Sequence, residues 1–225
     1  MSSRALSRSE EDYLKAIYGL SESGDPASTT AIATVLDIQP ASVTGMIKRM
    51  AETGLLEHIP YRGVRLTGRG TKEALRVLRR HRILETYLCE RLGFSWDDVH
   101  AEAERLEHAA SDRLIERMAA ALEFPHYDPH GAPIPTKGGK IEPADPATLA
   151  DARRGDRVRV RAVRDEDGET LRLIADEGLL PGVRVEIRER RLGEGAIAVS
   201  LGEDTAVRSI ERELARQIYV VPDED

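Results

Sequence analysis

The feature that most constrains this chain is a change in the spacing of its apolar residues, helical ahead of a proline-rich stretch and alternating behind it. Residues 8–20 set Tyr13, Leu14, Ile17, Tyr18 and Leu20 at helical spacing, with Ser9 as the expected N-cap before Glu10, Glu11 and Asp12. A second, short helix begins after Ser28-Thr29-Thr30 and carries Ile32, Ala33, Val35 and Leu36. Pro40 then stands where a first helical turn accepts it, and residues 41–53 form a third helix with Val43, Ile47 and Met50 inward and Gly54 beyond its end. Two β-prone runs, 55–60 and 64–66, flank Tyr61-Arg62-Gly63 and read as a hairpin with a basic tip. Three helices and a hairpin in this order describe a winged helix-turn-helix.

Residues 67–92 and 99–122 continue the helical period as two long helices, a natural dimerisation surface. Residues 125–148 hold six prolines and are expected to be an irregular linker without a core. From Asp156 the period becomes two, at 158–163, 183–187 and 196–199, with Gly178 to Gly182 as an internal turn, which suits a small barrel of SH3 type. The expected fold is mainly α with a small β domain. Its parts are a winged helix-turn-helix over 1–72, a helical dimerisation and metal-binding domain over 73–140 with linker 124–150, and an SH3-like domain over 151–225.

Charge separates the same parts. The chain carries a net −7, yet residues 1–82 hold 13 Lys and Arg against 9 Asp and Glu, a net +4, and the remainder is −11. After Gln39 the excess concentrates in Lys48, Arg49, Arg62, Arg65 and the arginines that follow, on the third helix, the hairpin and the next helix. A phosphate-binding module needs this asymmetry, because neutralising phosphates releases counterions. Ser42, Thr44, Lys48 and Arg49 suit base-edge or phosphate contact, Pro40 shapes the helix start, and Arg62 and Arg65 suit phosphate or minor-groove contact. Gly45 has no side chain to read a base, so DNA shape should share in recognition. The amino terminus lacks the apolar core of an export signal, no apolar run could cross a bilayer, and a single cysteine, Cys89, forbids an internal disulfide. The expected setting is the cytoplasm.

His81 and Glu85 are four apart on one long helix, and His100, Glu104 and His108 are spaced by four on the next, with Glu107 alongside. Spacing of four stacks side chains on one helical face, so two facing helices can offer neighbouring metal sites with nitrogen and oxygen donors. A solvated face of ordinary Glu/His pairs is the plainer reading of any single pair.

Three segments carry a resemblance. Residues 79–85 and 99–112 are similar to the metal-binding core of the diphtheria-toxin-repressor family, which includes iron-dependent regulators and manganese transport regulators; residues 11–18 resemble its first helix and 40–50 its recognition helix. The resemblance implies a primary site of Asp12, Glu104, Glu107 and His108 and an ancillary site of His81, Glu85 and His100, to which Asp167 or Glu169 of an SH3-like (FeoA-like) domain would be added. It implies a homodimer on palindromic duplex DNA, with no membrane and no small organic substrate. Iron-sensing members use methionine and cysteine where this chain has Asp12 and Glu104, and oxygen donors lean towards Mn²⁺, with Fe²⁺, Co²⁺ and Zn²⁺ also suited to such a set. Lys15 stands where some short manganese regulators place a glutamate ligand.

The expected function is a metal-dependent repressor of metal-uptake genes and not an enzyme. Two rivals stay open: a helical di-metal carboxylate enzyme, and a constitutive DNA-binding protein with a structural metal. Without metal, Asp12, Glu104 and Glu107 would gather three negative charges, so the first helix is expected to be loosely attached until an ion arrives.

Overall fold

The computed structural model describes residues 6–22, 24–142, 147–164, 167–190, 195–202, 204 and 206–223. The chain divides into two units. One comprises residues 1–81, 106–112 and 135–141, and the other residues 82–105, 113–134 and 142–225.

In the first unit α1 (Arg8–Leu20) starts at Ser7, not at Ser9. The reason is local: Glu10 lies three residues beyond Ser7, so the serine hydroxyl accepts from the Glu10 amide at 3.3 Å while the Glu10 carboxylate accepts from the Ser7 amide at 2.8 Å. Two backbone donors at the helix start are thereby satisfied together. α2 (Thr29–Val35) is capped by Ser28 as expected, and α3 (Pro40–Glu52) begins on Pro40. Asp37 sits at φ 50° in the tight turn between them. Leu14, Ile17, Ile32, Val43 and Met50 close a core over which Ser42, Thr44, Lys48 and Arg49 remain exposed on the other side of α3.

The hairpin forms from β1 (Leu56–Ile59) and β2 (Gly63–Leu66), with Leu56 opposite Leu66 and Ile59 opposite Gly63. Ala27 adds a third rung, exchanging both backbone hydrogen bonds with Val64 at 2.9 Å. That close approach explains Gly63. Its φ is +120°, and a Cβ there would stand 2.1 Å from the Ala27 carbonyl oxygen. α4 (Gly68–Leu92) then runs unbroken out of the first unit and into the second.

The second long helix expected over 99–122 is two helices, α5 (Val99–Leu106) and α6 (Asp112–Ala121), joined by a turn at Glu107 to Ala109. No proline or glycine marks this break, and alanines surround it. Ser111 and Asp112 favour a new helix start, and the turn before them places the Glu107 carboxylate against Lys15 and His81.

In the second unit residues 126–134 are ordered and partly buried, against the expectation of a coreless linker. Asp128, His130 and Ile134 are buried. The Asp128 carboxylate accepts from the amides of His130 and Ala132, Arg82 donates to the Pro133 carbonyl, and the Trp96 indole donates to the Pro129 carbonyl. Proline carbonyls that have no ladder partner are satisfied by side chains instead.

The carboxy-terminal part is a five-stranded antiparallel sheet of order β6-β5-β4-β3-β7, from β3 (Arg157–Val163), β4 (Arg184–Arg190), β5 (Ala196–Leu201), β6 (Arg208–Glu211) and β7 (Ile218–Pro222). Register shifts in β3 and β4 bend the strands around a core that includes Val160, Leu171, Ile174, Ile187 and Val199. α7 (Gly168–Asp176), which alternation alone does not reveal, contributes Leu171 and Ile174; α8 (Arg212–Ala215) precedes β7.

Two substitutions test this account. Ser7→Ala should cost about 1 kcal/mol of unfolding free energy through the lost cap. Gly63→Ala should cost about 2 kcal/mol or more, because both φ and the Ala27 carbonyl oppose a side chain. Urea unfolding of the purified chain measures both.

Candidate metal centre

Two short pieces of chain in the first unit build the centre. α1 presents Glu11, Asp12 and Lys15 within little more than one turn, and the turn after α5 presents Glu107 and His108. One ligand atom from each of Asp12, Glu107 and His108 lies within 4.8 Å of the others. His108 Nε2 is 2.8 Å from Asp12 Oδ1 and 3.4 Å from Glu107 Oε1, while its Nδ1 is 2.8 Å from Glu11 Oε2. The Glu11 carboxylate only accepts, so it draws the ring proton to Nδ1 and turns the Nε2 lone pair towards two carboxylates. A cation between them satisfies all three donors, and a carboxylate–histidine pair of this kind fixes the ring for metal binding. The residues therefore fit a divalent ion.

Glu107 is wholly buried. Its Oε2 lies 2.6 Å from His81 Nδ1 and its Oε1 accepts from the Lys15 ammonium at 2.9 Å. Burial pushes the Glu107 carboxyl up, but the hydrogen bond from His81 and the Lys15 charge more than reverse this, leaving it below the ordinary glutamate value of 4.5. Arg80, also buried, is paired with Glu11. Glu107 and Glu11 are thus matched by positive or proton-donating groups. The expected repulsion among unpaired acids is not what the structure shows, and α1 is held by these bonds.

The other candidate ligands fall differently. Glu85 is fully buried in the second unit, with Oε1 3.0 Å from His100 Nδ1 and Oε2 4.0 Å from His130 Nδ1. Glu104 Oε1 lies 3.7 Å from His100 Nε2, one helical turn away. Glu104 is not in the group around Asp12: it remains on α5, whereas Glu107 and His108 lie past the helix end, so the three do not share one stripe. His81 precedes Glu85 by one turn on α4. Asp167 caps α7, accepting from the Glu169 and Thr170 amides and from the Thr170 hydroxyl, and neither it nor Glu169 belongs to a ligand group among the described residues. Sequence reasoning missed Glu11, Arg80 and the role of Lys15. The only signal for Glu11 was its place beside Asp12.

At the hairpin, Arg62 donates to Asp25 at 2.9 Å and Arg65 to the Gly24 carbonyl at 2.8 Å, with Tyr61 fully exposed at the tip. A cleft of about 570 Å³ runs between α1 and α3, bordered by Asp12 and Tyr13 on one side and Ser42, Gly45 and Arg49 on the other. Asp12 therefore belongs to the centre and also borders the cleft beside α3.

Comparison with known proteins matches three parts of the chain. The iron dependent repressor N-terminal DNA binding domain matches residues 5–64, the iron dependent repressor metal binding and dimerisation domain matches 67–136, and the FeoA domain matches 147–222. The iron-dependent repressor IdeR of Mycobacterium tuberculosis is 33% identical over 222 residues, which cover 93% of this chain and 95% of that protein. The chain belongs to the diphtheria toxin repressor family. Another relative, the HTH-type transcriptional regulator MntR of Oceanobacillus iheyensis, is 36% identical over 116 residues, 52% of this chain and 78% of that protein. Among solved structures, a manganese-dependent transcriptional repressor in complex with manganese superposes with a TM-score of 0.89 at 39% identity, over 95% of this chain and 99% of that one.

As a member of the diphtheria toxin repressor family the protein is a metal-dependent, DNA-binding transcriptional repressor rather than an enzyme, which sets the carboxylate-oxidase rival aside. The centre spans two of its matched parts. Asp12 falls in the DNA-binding part, and Glu107 and His108 fall in the metal-binding and dimerisation part.

The depressed Glu107 carboxyl makes a pH prediction. Because its folded value lies below its unfolded one, it stabilises the metal-free protein above pH 4.5 and this contribution fades as pH falls further. Glu107→Gln should be less stable than the parent at pH 7, and the gap should narrow at pH 3.5; urea midpoints at the two pH values check it.

Proposed function

We propose that this repressor senses Mn²⁺ through Asp12, Glu107 and His108 and controls genes of metal uptake in the cytoplasm. The observation that carries the reading is the donor set, two carboxylates and one imidazole, without sulfur. The one cysteine, Cys89, is on α4 with its thiol pushed up to about 11, chiefly by burial. Oxygen-rich sets suit harder ions, and the structural relative bound to manganese supports the same choice. Iron is the second reading, favoured by the iron-dependent repressor that aligns along nearly the whole chain. Among the described residues no helix is long and apolar enough to cross a membrane, in keeping with a DNA-bound regulator.

The ion, when bound, supplies charge neutralisation and fixed coordination between α1 and the α5–α6 turn. The protein's residues do the rest. Glu11 holds the His108 ring through Nδ1, Asp12 on α1 faces His108 Nε2, and Glu107 anchors the turn. Fixing α1 selects one orientation of α3, whose Ser42, Thr44, Lys48 and Arg49 face the major groove, with Pro40 setting the helix start and Arg62 and Arg65 reaching the backbone from the hairpin. Two copies related by a dyad read a palindromic operator. Glu85 and His100, with Glu104 beside His100, belong to the ancillary set within the second unit. The functional division of the chain follows 1–72, 73–140 and 151–225.

A differential metal affinity of about 3 kcal/mol between the two orientations corresponds to roughly a hundredfold change in operator binding. Fluorescence anisotropy on operator DNA should show that rise on adding Mn²⁺ to the parent, and Asp12→Ala should lose it. Operator binding that ignores both metal and Asp12→Ala would favour the constitutive rival. Arg49→Ala should weaken binding with and without metal and lower the slope of affinity against salt by about one unit.

A further inference from the structure

Lys15 stands three residues after Asp12, so α1 brings a ligand and a cation to the same spot. Its ammonium is 2.9 Å from Glu107 Oε1. That oxygen is also the one nearest to His108 Nε2, at 3.4 Å, and the same Nε2 is 2.8 Å from Asp12 Oδ1. An ion seated among the three ligands must therefore take the oxygen that Lys15 already holds. The other Glu107 oxygen offers no alternative, since His81 Nδ1 lies 2.6 Å from it. A protonated lysine has three donors and no lone pair, so it cannot join a coordination shell. It can only yield the oxygen or share it at the cost of placing two positive centres close together where Glu107 is fully buried. Yielding is feasible, because the Lys15 side chain is 21% exposed and its flexible stem can carry the ammonium towards solvent.

We propose that Lys15 is a built-in competitor of the metal, a residue that occupies Glu107 in the metal-free protein and thereby sets the ion concentration at which the repressor switches. The proposal rests on Asp12, Glu107 and His108 being the metal ligands. Its logic is charge for charge. In the metal-free state Lys15 relieves the burial of Glu107, which lowers the free energy that an incoming ion can gain, and in the loaded state its charge opposes the ion. Both effects weaken binding. Neither depends on whether the ion prefers oxygen, nitrogen or sulfur, so Lys15 shifts the threshold for every divalent ion alike and leaves selectivity to the ligands.

The test compares the full chain with Lys15→Met, which keeps the stem and removes the charge, Lys15→Arg, which keeps the charge, and Asp12→Ala, which removes a ligand. Affinities for Mn²⁺ and for Zn²⁺ are measured separately by chelator competition, and the thermal midpoint of each metal-free variant by circular dichroism. Lys15→Met is expected to bind both ions about tenfold more tightly, by the same factor, while its metal-free midpoint falls. Lys15→Arg is expected to stay within about threefold of the parent. If Lys15→Met does not fold, Lys15→Gln takes its place with the same expectation. Unchanged or weaker binding in the uncharged variant, or tightening for one ion only, overturns the competitor while a weakened Asp12→Ala still upholds the centre. Asp12→Ala that binds as tightly as the parent overturns the centre and the competitor with it.

Discussion

One buried carboxylate organises the regulatory part of this protein. Glu107 has no solvent to stabilise its charge, and it is kept ionised by His81 on α4 and Lys15 on α1. Those two bonds tie three separate segments, α1, the first half of α4 and the α5–α6 turn, to a single point. His108, one residue further, repeats the pattern by lying between Glu11 and Asp12. Removing one partner from such a network leaves the others buried without compensation, which costs far more than the pair itself contributes.

This arrangement changes the picture of the metal-free repressor. A cluster of acids suggests a spring held open by repulsion until a divalent ion arrives. The structure shows a network in which Lys15 and His81 hold Glu107 and Arg80 and His108 hold Glu11 before any ion arrives. Metal uptake is then an exchange of one set of charges for another, and the switching concentration reflects the difference between two occupied states. Arg80 pairing with Glu11 extends the network one step beyond the candidate ligands.

Much of this was legible in the residues. The switch from a helical to an alternating period marked the boundary between the helical part and the sheet, and Pro40 with Val43, Ile47 and Met50 marked the third helix. Spacing of four singled out His81, Glu85, His100, Glu104 and His108, with Glu107 alongside, and resemblance to a known family supplied Asp12 and the grouping into two sites. The errors have separate causes. Ser9 was preferred over Ser7 because the reciprocal bond with Glu10 was not weighed, and α7 was hidden because its two buried residues, Leu171 and Ile174, sit inside an otherwise alternating region. Residues 126–134 looked coreless because prolines suggest a linker, whereas Arg82 and Trp96, remote in sequence, satisfy their carbonyls.

What the sequence determined by itself is the local inventory: which segments become helices or strands, where they are capped, and which side chains are capable of binding metal or phosphate. These follow from short-range sterics, hydrogen bonding and apolar spacing, all readable within a turn or two. Tertiary structure alone decided that Glu104 parts company with Glu107 and that Lys15 meets a carboxylate 92 positions away. Ser111 and Asp112 favour the start of a new helix at α6, while the contacts of Glu107 with Lys15 and His81 exist only once distant segments have come together.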